Sequence, residues 1–170
     1  RRVLVRGDMK LDRLHDVIQI AMGWTNRHLH QFITGSRGSA TFYGRPDPEF
    51  ADPDNPTLNE KRFTLAHIAP AAKSKFIYEY DFGDGWEHEI VVETILPPDS
   101  AFKRPMCLAG ANACPPEDCG GMGGYYSMLE ILANPKHPEY HEMKEWLGRE
   151  FDAKEFSTED VNSFFKRLKA

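Results

Sequence analysis

Three cysteines and two closely spaced histidines are the residues of this chain best suited to chemistry. Cys107, Cys114 and Cys119 lie in the glycine- and proline-rich stretch from Pro105 to Leu132, and His137 follows it. Three thiolates and an imidazole make a tetrahedral zinc set, and a metal would order a loop that has few apolar side chains to bury. The spacing departs from the usual two-residue knuckle, with six residues between the first two cysteines and four between the second two. Without metal, such thiols act as small buried hydrophobes. His28 and His30 form the alternative metal site. On a strand they share a face, and with Asp81, Asp84 or His88 nearby they would make a metal-dependent hydrolase centre. Gly120 to Gly124, ahead of a helix expected from Tyr125, offers backbone N–H groups to an anion but lacks the Gly-Lys-Ser/Thr ending of a nucleotide loop. No Gly-x-Ser-x-Gly elbow is present.

The elements that must position these groups read clearly in places. Arg1 to Arg6 alternates as a strand. Leu11, Leu14, Val17, Ile18, Ala21 and Met22 trace a helix face that ends at Gly23, with Trp24 placed to make the cap's apolar contact. His28 to Ile33 and Ser39 to Tyr43 read as a hairpin, Arg45 to Asn59 as a proline-rich surface loop, and Arg62 to Leu65 as a short returning strand. Lys75 to Leu96 reads as a second hairpin. A three-residue loop with Gly85 left-handed pairs Phe82 with Trp86, Tyr80 with His88, Tyr78 with Ile90 and Phe76 with Val92. That register sends His88 and Asp81 to opposite faces. It gathers Glu79, Asp81, Glu87 and Glu89 into an acidic face, a candidate binding surface, with no Lys or Arg between Phe76 and Phe102 to neutralise it. Helices are expected over Tyr125–Ala133, after His137-Pro138 as far as Gly148, and after Ser157, whose hydroxyl with Asp160 resembles a capping box.

With 170 residues the chain suits one compact domain spanning 1–170. No apolar run is long enough to cross a bilayer and no signal-like segment opens it, so a soluble, cytoplasmic, non-membrane protein is expected. An odd number of cysteines argues for thiols or metal ligands over a disulfide framework. The net charge of −5 disfavours wholesale nucleic-acid binding. From Arg1 to Arg45, however, eight Lys and Arg face three Asp, which leaves DNA binding through a basic N-terminal third as a further alternative.

Several runs together resemble the plasmid pRiA open-reading-frame-three-like family, some of whose members are described as insertion-element passengers. These are Arg1-Arg2-Val3, Leu14-His15, Gly23-Trp24, His28-Leu29-His30, Tyr80 to Trp86 with His88, Cys114 to Gly121, Gly124-Tyr125, and Asn134-Pro135 with His137-Pro138-Glu139. The resemblance implies a mixed α+β fold, an additional strand upstream of Arg1, and no particular reaction. The expected architecture is therefore α+β, with a mixed or antiparallel sheet of about five strands and helices mainly on one side. The expected function is a non-catalytic binding or accessory module for an unknown protein or small ligand, and the resemblance implies a link to mobile elements. A metal-dependent hydrolase is the alternative, and zinc is the one cofactor considered.

Overall fold

The computed structural model describes residues 1–36, 38–47, 52–53 and 55–168. Strand β1 (Arg2–Leu4) leads into helix α1 (Leu11–Met22). Strands β2 (His30–Thr34), β3 (Thr41–Gly44) and β4 (Leu58–Asn59) follow, then a 3₁₀ turn over Glu60–Arg62 and the short helix α2 (Leu65–Ile68). Strands β5 (Lys75–Tyr80), β6 (Trp86–Val91) and β7 (Met106–Ala109) precede helices α3 (Gly121–Ala133), α4 (Tyr140–Leu147) and α5 (Thr158–Phe165). Five strands form one mixed sheet in the order β4-β3-β2-β5-β6, antiparallel except for the parallel β3–β4 pair, and β1 and β7 form a separate antiparallel ribbon. The fold is α+β, as expected. Arg37 of the basic third and part of the Arg45–Asn59 loop lie outside the described residues.

Helix α1 joins the two sheets because it is apolar on more than one face. Leu11 and Leu14 pack with Trp24, Phe32, Tyr43, Phe76, Tyr78, Tyr80 and Trp86 of the five-stranded sheet and its approaches. Val17 and Ala21 turn instead to Cys107 of β7 and to Val161 and Phe165 of α5. Removing these aromatic and aliphatic surfaces from water is the main force holding the layers together, roughly 25 cal/mol for each Å². Both caps read from sequence are present: Gly23 is left-handed at φ 92°, and the Ser157 hydroxyl accepts from the Asp160 N–H at 3.1 Å.

Four expectations need correction. Arg62 to Leu65 is no strand: the 3₁₀ turn and α2 occupy it, with the Thr64 hydroxyl capping α2 by accepting from the His67 N–H. Helix α3 begins at Gly121, four residues before Tyr125, so Gly121 to Gly124 form its first turn and not an open anion loop. Cys107 lies in β7 rather than in the cysteine loop. The fourth is the Lys75–Leu96 hairpin, whose loop has five residues, giving the pairs Tyr80–Trp86, Tyr78–His88 and Phe76–Ile90. Asp81 ends the ladder early: its φ is +56°, and its Oδ1 accepts from the N–H groups of Gly83 and Asp84 at 3.1 and 3.3 Å. The slip is by two residues, so the side chains of Lys75–Tyr80 and Trp86–Val91 keep their faces, and only the loop residues from Asp81 to Gly85 leave the ladder.

Between α1 and the sheet runs a buried polar chain. His15 and His30 stack at 3.5 Å, and His30 Nε2 lies 2.7 Å from the Glu60 carboxylate. Asn26 Oδ1 can only accept, so His15 donates to it from Nε2 (2.8 Å) and its Nδ1 accepts from the Tyr78 hydroxyl (2.8 Å). Gln19 then donates to the same hydroxyl at 3.0 Å.

The basic residues near the start of the chain are engaged with the fold. The Arg1 guanidinium donates to the carbonyls of Ala21, Ala111 and Asn112 and lies 4.0 Å above the Phe156 ring, while Arg2 pairs with Glu93, Arg6 with Asp8 and Arg13 with Asp16. Arg1→Ala is expected to cost about 1–2 kcal/mol in urea unfolding, since it removes three charged hydrogen bonds that tie the end of α1 to the 111–112 loop. Arg1→Lys should recover little of it, because an ammonium cannot reproduce the fork. An unchanged midpoint for Arg1→Ala would show that Arg1 is a surface charge and not a clamp.

Candidate metal centre

His28 lies outside the strand that the sequence assigned to it. It occupies the bend before β2, so the two-residue alternation with His30 does not apply, and the histidines diverge. His30 points toward α1 and binds Glu60, whereas the His28 ring packs edge-on against Tyr80 at 5.8 Å. The hydrolase pairing of His28 with His30 is therefore not formed. His88 is held elsewhere, with Nδ1 3.2 Å from the Tyr78 carbonyl and its ring edge-on to Trp24. Burial pushes its imidazole below the ordinary histidine range.

His28 instead faces two carboxylates. Its Nε2 is 3.1 Å from Asp118 Oδ1 and 3.6 Å from Asp81 Oδ2. That nitrogen is buried but makes a hydrogen bond to neither oxygen. The Nε2 atom and the two oxygens lie within 4.8 Å of one another, the one such group of three or more ligand-type side chains among the described residues. Asp81 and Asp118 both hold left-handed backbones, at φ +56° and +61°. Aspartate tolerates that conformation better than most residues, but two instances converging on one imidazole is the kind of local strain that concentrates at functional sites.

Three segments build the site, and each is fixed by its own hydrogen bonds. Trp24, stacked on Tyr80 at 4.7 Å, donates its indole N–H to the Pro115 carbonyl at 3.0 Å, anchoring the cysteine loop to the end of α1. Glu117, beside Asp118, accepts from the Thr25 N–H (3.2 Å), the Thr25 hydroxyl and the Tyr80 hydroxyl (2.5 Å). Burial pushes the Glu117 carboxyl up, but those donors and the neighbouring His28 outweigh it and hold the carboxyl below its usual range. Burial and the Glu117 bond likewise push the Tyr80 phenol well up, so it remains a donor. On the hairpin side, Asp84 Oδ2 accepts from the Gly120 N–H at 3.2 Å, joining the Asp81 loop to the start of α3.

The sequence-derived zinc set does not converge. Cys107 packs in the cluster beneath α5, Cys114 and Cys119 pack against the main core, and His137 sits between α3 and α4, its Nδ1 accepting from the Glu139 N–H at 3.2 Å. Burial pushes the thiols of Cys114 and Cys119 up to about 12 and about 11, as their packing against the core requires. The acidic face also changes. Glu79 and Glu87 do oppose each other, but Gln31 donates to Glu79 at 2.6 Å, Lys75 pairs with Glu89 at 3.0 Å, and Asp81 has left the face for His28. Asp118, Glu117 and Thr25 were missed as site residues. The acidic pair inside Cys114-Pro115-Pro116-Glu117-Asp118-Cys119 was the available signal.

Comparison with known proteins shows what the whole chain resembles. The model of the family described as plasmid pRiA4b ORF-3-like protein matches residues 1–160. The uncharacterized protein y4hQ of Sinorhizobium fredii (strain NBRC 101917 / NGR234) is 42% identical over 148 residues, covering 87% of this chain and 73% of that protein. The crystal structure of MM3350, a protein of unknown function from Methanosarcina mazei Go1, is 36% identical with a TM-score of 0.81, over 95% of this chain and 87% of that one.

Proposed function

We propose, for a chain that belongs to the plasmid pRiA4b ORF-3-like protein family, that it is a binding module whose working site is a divalent cation held by His28, Asp81 and Asp118. The observation that carries this reading is the buried His28 Nε2, flanked by two carboxylate oxygens and hydrogen-bonded to neither. Around a cation with ligand distances of about 2.1 Å, neighbouring donor atoms stand roughly 3.0–3.5 Å apart, close to the 3.1 and 3.6 Å found here. One imidazole and two carboxylates suit Mn²⁺ or Zn²⁺. The second oxygen of Asp81 is held by loop N–H groups, an outer support of the kind that aims a metal ligand. Among the described residues no helix is long and apolar enough to cross a membrane.

Binding is preferred to hydrolysis because Glu117, the carboxylate beside Asp118 in the chain, is already in use. Both oxygens of Glu117 accept hydrogen bonds, Oε2 from the Thr25 N–H and hydroxyl and Oε1 from the Tyr80 hydroxyl, which fixes it as a structural acceptor rather than a free general base. The test is Mn²⁺ titration of chelator-treated protein, read by loss of the free Mn²⁺ resonance signal. One site per chain is expected, at least tenfold weaker in Asp118→Asn and in His28→Gln, and unchanged in Cys114→Ser and His137→Gln. Mn²⁺ and Zn²⁺ binding that is absent, or that survives Asp118→Asn at full strength, would end the proposal. Retention by Asp118→Asn with loss in Cys114→Ser would return the cysteine loop to the front.

A further inference from the structure

Asp118 of the proposed cation site also lines a cleft, together with Arg27, Glu117, Trp146 and Arg149. Arg27 immediately precedes His28, and Arg149 follows Gly148, the left-handed cap that ends α4. Neither guanidinium has a hydrogen-bonded or ion-paired partner among the described residues, in contrast to Arg1, Arg2, Arg6 and Arg13. Trp146 is 49% exposed, although an indole ordinarily contributes its large surface to packing.

We propose that this cleft binds a phosphoryl group bridging the cation and the two arginines, an inference that rests on the cation site proposed above. The charges decide the order of events. The two guanidiniums share the cleft with the carboxylates of Glu117 and Asp118, and Asp81 joins Asp118 at the cation site, so without metal the combined site is net negative and repels an anion. A divalent cation reverses the sign. Anion binding should therefore require metal. A tetrahedral phosphoryl group presents three oxygens, enough to reach a cation and two forked donors from different sides, whereas a carboxylate has two in one plane. Trp146, exposed in the same cleft, offers an indole face on which a planar group attached to that phosphate can stack.

The test uses the whole chain with AMP, adenosine and inorganic phosphate as probes, titrated calorimetrically with and without saturating Mn²⁺. AMP or inorganic phosphate is expected to bind at least tenfold tighter with Mn²⁺ present, and adenosine to bind weakly in both conditions. The double variant Arg27→Gln/Arg149→Gln should lose at least tenfold in anion affinity while holding Mn²⁺ as tightly as the parent or more so, because positive charge has been removed. An advantage of AMP over inorganic phosphate that disappears in Trp146→Ala would support a nucleotide as the source, and equal affinities would support inorganic phosphate. If the parent binds Mn²⁺ but neither anion responds to it, or if the double variant binds anion like the parent, this proposal fails and the cation site stands. If the parent binds no Mn²⁺, both fail.

Discussion

Replacing Gly124 with alanine should destabilise the protein by roughly 3–5 kcal/mol, at the upper end for a single substitution. A Cβ at this position would sit 1.8 Å from the Cys119 carbonyl oxygen and 2.8 Å from its carbonyl carbon. Those are backbone atoms, so no side chain can rotate away. The contact exists because the chain turns sharply at Gly120, φ +86°, to start α3, folding the Cys119 peptide back across the first helical turn while the Gly124 N–H reaches the Gly120 carbonyl at 3.1 Å. Relief would require moving the segment that carries Glu117 and Asp118, so the proposed cation site should weaken along with stability. Gly123→Ala, one residue away, has nothing within 4 Å of the new Cβ and should be neutral or slightly stabilising through helix propensity. Equilibrium urea unfolding of the two variants decides the matter. Equal midpoints for Gly124→Ala and the parent would mean that the tight turn before α3 is not formed.

Lowering the pH from 6.5 toward 4 should remove about 3 kcal/mol of stability through His15 alone. Burial pushes this imidazole down from 6.5 to about 4, and the stacked His30 adds to the effect, while Asn26, Glu60 and Asp16 oppose it. The folded value is depressed and the group is a base. Between pH 6.5 and about 4 the unfolded chain therefore takes a proton that the folded chain refuses, and stability rises with pH over that window. The contribution is complete above pH 6.5 and lost progressively below it. His88, depressed by its own burial, acts in the same direction. Protonating His15 Nδ1 would place a second donor against the Tyr78 hydroxyl and force that hydroxyl to surrender its present bond. Urea midpoints at pH 7.5, 6.5 and 5.5 test this above most of the carboxylate range. The parent should lose little between pH 7.5 and 6.5 and clearly more between 6.5 and 5.5, and His15→Gln, though less stable at pH 7.5, should show a flatter profile. A parent as stable at pH 5.5 as at 7.5 would contradict a neutral buried His15.

Much of the fold was legible because it rests on local chemistry. The apolar spacing of residues 11–22 and the glycine behind it gave α1 to the residue, the alternating aromatics gave β5 and β6, and Ser157 gave the start of α5. The family was legible too, since short motifs spread along the chain carry it without reference to contacts. In the hairpin the alternation fixed which face each residue occupies, but not its partner. Asp81 decided the register by folding its side chain onto the loop, a choice that a pattern of period two cannot express.

The site was a different matter. Sequence spacing alone made His28, His30 and the carboxylates near Asp81 candidates and indicated an α+β sheet protein, but it did not single out Glu117 or Asp118. Only the tertiary structure decided which of them meet. His28, Asp81 and Asp118 come from three segments up to 90 residues apart, brought together because Trp24 holds the Pro115 carbonyl, Asp84 holds the Gly120 N–H, and α1 packs its apolar faces between the two sheets. Periodicity records the direction of a side chain relative to its own strand or helix. The convergence of three such segments depends on long-range packing, which no local pattern encodes.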